Sequence, residues 1–243
     1  MTTNYFNVEV APTFTGANAV TAFADDDILF DWTAFDVPKS AGTLLGVTVI
    51  VRGTNASRQE QPLDIYFAKD KVFNGTEYAP GSLGSVNAAT SGANFINHIT
   101  GSVKILATDY QDGLTHHAAA YKDLSNGIVL EALPSTGSTI GFDRLYIAGI
   151  AKGAFDFGTG VAVNQGGGIA AATVETAIPT TGSAAARCLN IGDVVVAQDG
   201  AAIGTVTAVA SAEVTVDAVA EALANSDEIV CSQPLKFILH FSK

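Results

Sequence analysis

Short runs of alternating apolar and polar residues, each closed by turn chemistry, constrain this chain more than any other feature. Phe6, Val8 and Val10 share one side of an extended opening segment, with Tyr5, Asn7 and Glu9 on the other, because successive side chains of a strand point to opposite faces. Leu63, Ile65 and Phe67 repeat the pattern against Asp64 and Tyr66. Residues 43–52 are β-branched and almost wholly apolar, which predicts a central strand buried on both faces. Further strands are expected over 27–32, 95–100, 102–108, 127–133 and 144–151. Turn residues punctuate them: Gly53-Thr54-Asn55, Asn74-Gly75, Pro80-Gly81, Asp112-Gly113, Asn126-Gly127 and Ser135-Thr136-Gly137. Many short strands at this spacing predict an all-β sandwich or barrel. Helical signals are few: residues 217–225, with Asp217 as N-cap and Asn225 near the end, and a short turn within 115–124. An α/β fold would need longer helices between the strands.

Composition divides the chain. Between residues 164 and 232 there is no aromatic residue, and eight carboxylates face Arg187 alone, so this segment carries −7 of the chain's −12. Gly166-Gly167-Gly168 marks its entrance and Gln233-Pro234 its exit. Within it, Ile191-Gly192-Asp193-Val194-Val195-Val196-Ala197 reads as a strand, Asp199-Gly200 as a tight turn, and 203–209 and 213–217 as returning strands. Leu235, Phe237, Leu239 and Phe241 then alternate with Lys236, Ile238, His240 and Ser242, an aromatic-bearing strand like those before residue 163. The expected organisation is a host domain of residues 1–163 plus 233–243, with 164–232 as an inserted small β-barrel. Ends of inserted modules lie close together, which lets a host sheet accept them.

Charge and length limit the partners. A net charge of −12 opposes binding to nucleic acid or anionic lipid, where affinity comes from Lys and Arg on phosphates. It favours solubility at high concentration. The longest apolar runs are strand-sized, short of the roughly 20 residues a spanning helix needs, so no membrane helix is expected. The opening Met1-Thr2-Thr3-Asn4-Tyr5-Phe6-Asn7 lacks the basic start and apolar core of a secretory signal, and synthesis in a cytoplasm is expected. Cys188 and Cys231 are the only cysteines. They fall near the two ends of the inserted segment, and a reduced buried pair is the expected state, with pairing left open.

The chain carries no G-x-S-x-G elbow, Walker A loop, H-E-x-x-H or EF-hand loop. Gly158-Thr159-Gly160 and Gly166–Gly168 lack the strand–helix context and lysine of a phosphate loop and read as connections. Asp25-Asp26-Asp27 offers carboxylates to a hard cation, but neighbours on an extended chain diverge, and a solvated turn is the plainer reading. His116-His117, with His98 and His240 elsewhere, diverge in the same way, which favours a surface loop over a metal site. Nothing selects a glycosidase pair such as Asp109 and Asp112 over any other. Asn74-Gly75-Thr76 matches a glycosylation acceptor and reads as a turn. Tyr5, Phe6, Phe14, Phe23, Phe30, Trp32 and Phe35 are expected to fill a core, Trp32 being the candidate for exposure as a sugar-stacking ring. No catalytic, cofactor-binding or metal-binding residue is assigned, and no cofactor is expected.

Asp27-Ile28-Leu29-Phe30-Asp31-Trp32, the Ala-, Gly- and Thr-rich strands, the acidic charge, a single methionine, and the segment bearing Ile191-Gly192-Asp193-Val194 and Ile203-Gly204-Thr205-Val206 together resemble tailed-bacteriophage virion proteins. The likeness is to capsid decoration (cement) proteins and accessory structural proteins of marine and cyanobacterial phages. A stretch of about 40 residues that includes Ile191 through the strand at 213–217, in which Gly192-Asp193-Val194-Val195 opens one strand and Gly204-Thr205-Val206-Thr207-Ala208-Val209 answers it, also resembles small SH3-like barrels. The resemblance implies a jelly-roll-like β-sandwich host domain on a capsid surface. Its implied partners are the major capsid protein of the same phage and further copies of this chain, a trimer fitting shell symmetry. A non-enzymatic decorating role follows from it. Tail, baseplate or fibre adhesion to host glycan is the alternative, and a sandwich-fold glycan hydrolase or lyase the third.

Overall fold

A computed structural model describes residues 4–14, 22–38, 42–53, 58–73, 76–77, 98–111, 116–131, 142–157, 160–197 and 199–243. In chain order the strands are β1 (Tyr5–Val10), β2 (Ile28–Pro38), β3 (Thr43–Arg52), β4 (Leu63–Ala68), β5 (Val72–Phe73), β6 (Thr76–Glu77), β7 (Ile99–Ile105), β8 (Tyr110–Gln111), β9 (His117–Val129), β10 (Phe142–Ala151), β11 (Val161–Ala162) and β12 (Thr176–Pro179). A short helix α1 (Ala184–Cys188) follows, then β13 (Val194–Ala197), β14 (Ala202–Ala210), β15 (Glu213–Val216), β16 (Glu228–Cys231) and β17 (Leu235–Ser242). The fold is all-β.

Alternation becomes layering. A five-stranded sheet, in the order β1-β17-β3-β9-β8, faces a four-stranded sheet, β2-β10-β4-β7. Leu44, Val47, Val49 and Val51 of β3 and Leu235, Phe237, Leu239 and Phe241 of β17 meet Leu63, Ile65 and Phe67 of β4 and Leu145 and Ile147 of β10 in one core. The closing strand β17 pairs antiparallel with both β1 and β3, so residues 235–242 complete the sheet that residue 5 opens. Strand β3 is central, as its composition predicts, but its burial alternates. Thr48, Ile50 and Arg52 lie on the outer face, so it is not buried on both sides.

A third sheet holds the second unit, in the order β11-β16-β13-β14-β15-β12. A bridge from Val163 to Thr180 links its edges, with Asn164 N–H donating to Pro179 O and Thr181 N–H to Ala162 O, 2.8 and 2.9 Å. The sheet therefore closes on itself. Its core is aliphatic, with Val161, Ile178, Val195, Ile203, Val206, Val214, Val216 and Ile229 at its centre. It begins at Val161, before the composition change at residue 164. The two cores also touch: Val195 and Ala197 of β13 and Ile229 of β16 point into the small core, while Val196 and Val230, between them, belong to the large one.

Several local expectations need correction. Residues 217–225 form no helix; Val219 and Leu223 make isolated bridges to Ala172 and Ile169 and are buried in extended chain. Residues 117–124 are strand, within β9, with His116 in a bend before it. Asn126-Gly127 is not a hairpin turn. It lies inside the 13-residue β9, where the register jumps from Gly46↔Asp123 to Leu44↔Ile128. Gly127 takes φ 61° there, a left-handed conformation natural to glycine. The strands expected at 95–100 and 102–108 are one strand through Gly101 as far as described. Residues 191–193 form a turn before β13. Gly160 is a tight fit rather than a loose connection: a Cβ there would lie 2.2 Å from Ile229 O. Asn74-Gly75, Pro80-Gly81, Asp112-Gly113, 135–137 and most of 95–98 fall outside the described residues.

Candidate functional site at the junction of the two units

Where the outer face of the five-stranded sheet meets the second unit, a cleft of about 180 Å³ opens. Strand β3 ends there on Arg52, β9 begins there with His117, and β17 enters past Gln233, Pro234 and Lys236. The 190–193 turn of the second unit forms the opposite wall. Ile50 and Pro234 supply an apolar floor.

Arg52 and Asp193 join the walls. Arg52 donates through Nη1 and Nη2 to both oxygens of Asp193, at 2.7 and 2.5 Å, and Asp193 is only 8% exposed. Its carboxylate also accepts Asn190 N–H at 2.7 Å, as an Asx-type turn places it. A planar guanidinium across a planar carboxylate fixes orientation as well as distance. His117, paired with Arg52 in the β3–β9 register, accepts Gly53 N–H on Nδ1 at 3.4 Å, so its neutral ring carries the proton on Nε2. Burial, then the nearby Arg52 and His116, hold its pKa below the ordinary histidine value; Asp193 pulls the other way.

Behind this wall, Cys188 and Cys231 line one small void with Phe157 and Leu189. Both are free thiols, and burial pushes each pKa up to about 11, the state of inert core cysteines.

The other residues singled out in the sequence lie apart. Asp25 and Asp26 form a turn before β2: Asp26 pairs with Lys152, and Asp27, buried, accepts Ala24 N–H at 2.7 Å. They diverge rather than share a focus. Asp109 closes a 3-10 turn by accepting Leu106 N–H, 2.8 Å, and pairs with Lys122, 2.9 Å. Burial pushes its pKa up, but these two donors outweigh it and leave it below the usual carboxylate value. Asp112 lies outside the described residues. His240 sits on the outer face of the five-stranded sheet, with Asn7 at 2.9 Å, Thr48 at 2.8 Å and the edge of Tyr121 against its ring. Trp32 is 7% exposed and packs with Ala68, Ala148, Tyr66 and Tyr146, so it is no exposed platform. Sequence reasoning missed Arg52, His117 and Asp193 as partners. Arg52 and Asp193 are 141 residues apart, and no spacing in the chain announces their meeting.

The second unit carries two surface features. Asp199, Glu221 and Asp227 line an open depression, two of them occupied in capping Ala201 and Ala224 N–H. An open apolar groove runs between residues 171–174 and 218–220, with Val174 66% exposed. No family model and no curated protein matches this chain.

Proposed function

We propose that this chain is a non-enzymatic structural protein of a phage virion that decorates and stabilises the capsid shell, docking on the major capsid protein. The observation that carries this reading is the apolar groove of the second unit. Ala171, Val174 and Ala220 are exposed there, Val174 to 66%. Exposed apolar surface with a polar rim is characteristic of protein–protein contact. The chain's net charge of −12 favours a basic partner surface. The residue pattern further favours a jelly-roll-like sandwich and an SH3-like small barrel, with 164–232 acting as an inserted module.

The test is the copy number of the chain per particle, by quantitative mass spectrometry of purified virions, together with saturable binding to capsids stripped of it. Hundreds of copies and saturable binding support decoration. A handful of copies moves the chain to the tail or a single vertex; absence from particles removes the virion reading.

A second reading, adhesion to host-surface glycan from a tail or fibre, is favoured by the polar junction cleft. The third, a glycan hydrolase or lyase, asks for two carboxylates with opposed pKa values in one cleft. Among the described residues the junction supplies Asp193, already clamped by Arg52.

A further inference from the structure

A sheet edge presents a row of unpaired backbone N–H and C=O groups, which folds ordinarily guard with a bulge, a proline, a lysine or sheer shortness. The two facing sheets end on β1, β8, β2 and β7. Strand β8 is two residues long. Strand β2 is bulged against β10 and closes on Pro38. Strand β7 shifts register against β4 and carries Lys104. Strand β1 has none of these devices: Tyr5–Val10 pairs with β17 without a register shift and contains no Pro or Lys.

Register decides which groups of β1 face outward. Asn4 and Lys243 exchange both backbone hydrogen bonds, N–H to O, at 3.4 and 2.9 Å. Antiparallel ladders alternate such pairs with non-bonded ones. Phe6, Val8 and Val10 therefore bond to β17, and the N–H and C=O of Tyr5, Asn7 and Glu9 point away from it. Among the described residues no backbone group bonds to these outward groups. Their side chains are exposed as well, Tyr5 to 74%.

The outward residues are symmetric about Asn7. A second β1 laid antiparallel and centred there puts Tyr5 opposite Glu9, Asn7 opposite Asn7 and Glu9 opposite Tyr5. Each of these pairs exchanges two backbone hydrogen bonds. Sliding by two residues leaves Tyr5 or Glu9 beyond the end of the opposing strand, and sliding by four in one direction sets Glu9 against Glu9. The centred register opposes no like charges: Glu9, beside its own Lys236 at 2.6 Å, meets the neutral Tyr5. On the other face Phe6 meets Val8. Both are half-buried and packed against the sandwich core, so pairing carries that apolar layer across the axis.

We propose that β1 is a self-association edge, along which two copies of this chain pair antiparallel about a twofold axis at Asn7 and join their five-stranded sheets into one. The pairing is argued from this edge alone, so failure of the decoration reading leaves it standing, and the reverse.

Two copies of net −12 repel at a distance, so the full chain is tested at about 0.15 M salt, where charges are screened beyond roughly 8 Å. Sedimentation should show a monomer–dimer equilibrium with a Kd on the order of 10–100 µM, as a small interface gives. As the dimer fills, the amides of Tyr5, Asn7 and Glu9 should gain protection from hydrogen exchange, while those of Phe6, Val8 and Val10 are protected at every concentration. Asn7→Lys sets two lysines face to face across the axis and should weaken pairing about five- to tenfold, with thermal unfolding of the dilute chain nearly unchanged. Asn7→Pro removes an outward N–H and no bond to β17, and should weaken pairing about tenfold or more. A chain that stays monomeric up to about 1 mM, a dimer whose Tyr5, Asn7 and Glu9 amides exchange as in the monomer, or a dimer untouched by Asn7→Lys overturns the proposal.

Discussion

The two units solve the same packing problem with different side chains. The sandwich fills its core with rings: Phe14, Phe23, Phe155 and Phe157 meet at centroid distances of 5.6 to 6.3 Å, and Phe30 lies 5.2 Å from Phe237. The closed sheet of 161–231 uses Val, Ile, Ala and Leu, with Cys188 and Cys231, and no ring at all. Two facing sheets leave a wide interior that large side chains fill, and the rings contribute burial in large units. A small sheet closed on itself has a narrow interior, where β-branched side chains of one or two methyls reach across. A composition change along a chain therefore reports a change in the width of the core.

The sharpest way to break this comparison is to remove a ring. Phe237→Ala and Phe241→Ala, each at 1% exposure or less, should cost about 3–5 kcal/mol by urea unfolding. Val214→Ala in the small core deletes less volume and should cost clearly less; equal losses would mean that ring and aliphatic cores are not energetically distinct. Next is the junction. Asp193→Ala leaves Arg52 and Asn190 N–H without their acceptor and should cost about 1–3 kcal/mol; a double-mutant cycle with Arg52→Ala isolates the pair. Coincident unfolding of both units in Asp193→Ala would show that the shared hydrophobic contact, rather than the ion pair, couples them. Gly160→Ala drives a Cβ into Ile229 O and should cost about 1–3 kcal/mol. A neutral result would place the β11–β16 contact outside the stability of the closed sheet.

The smallest effect is on pH dependence. His117 is held neutral below its ordinary value of 6.5, so below pH 6.5 the unfolded chain binds more protons than the folded one and stability falls with pH until the folded-state pKa is passed. His117→Gln should flatten the stability profile on the acid side of 6.5. An unchanged profile would assign the pH dependence to carboxylates such as Asp109, whose loss of stability lies below the ordinary carboxylate value of 3.8.

Period-two alternation made β1 and β17 legible, because one face of each packs inward and the other is exposed or half-exposed; β4 alternates in sequence as well, but its outer face is covered, with Asp64 and Ala68 buried. Alternation failed at 217–225, where Val219 and Leu223 are four residues apart. That spacing is one helical turn, and it is also two strand periods, so both conformations put the pair on one side. Asn126-Gly127 carries the same chemistry in a hairpin and in a bulge; only the partner strand β3 decides between them. Helix α1 is too short to show a period. The cleft was illegible because it is made by tertiary contact between β3, β9 and a turn far along the chain. Lys236 and Gln233 were visible only as an alternating polar residue and a segment boundary.

Strands β13 and β16 act as a party wall between two rooms. Val196 and Val230 furnish one side, and Val195, Ile229 and Cys231 the other. Inserting or deleting one residue in either strand would exchange the furnishings of both rooms at once. An ordinary edge between modules absorbs such length changes in a loop. This wall admits none, so the second unit cannot be swapped as a cassette cut at residues 164 and 232 without rebuilding the wall for its neighbour.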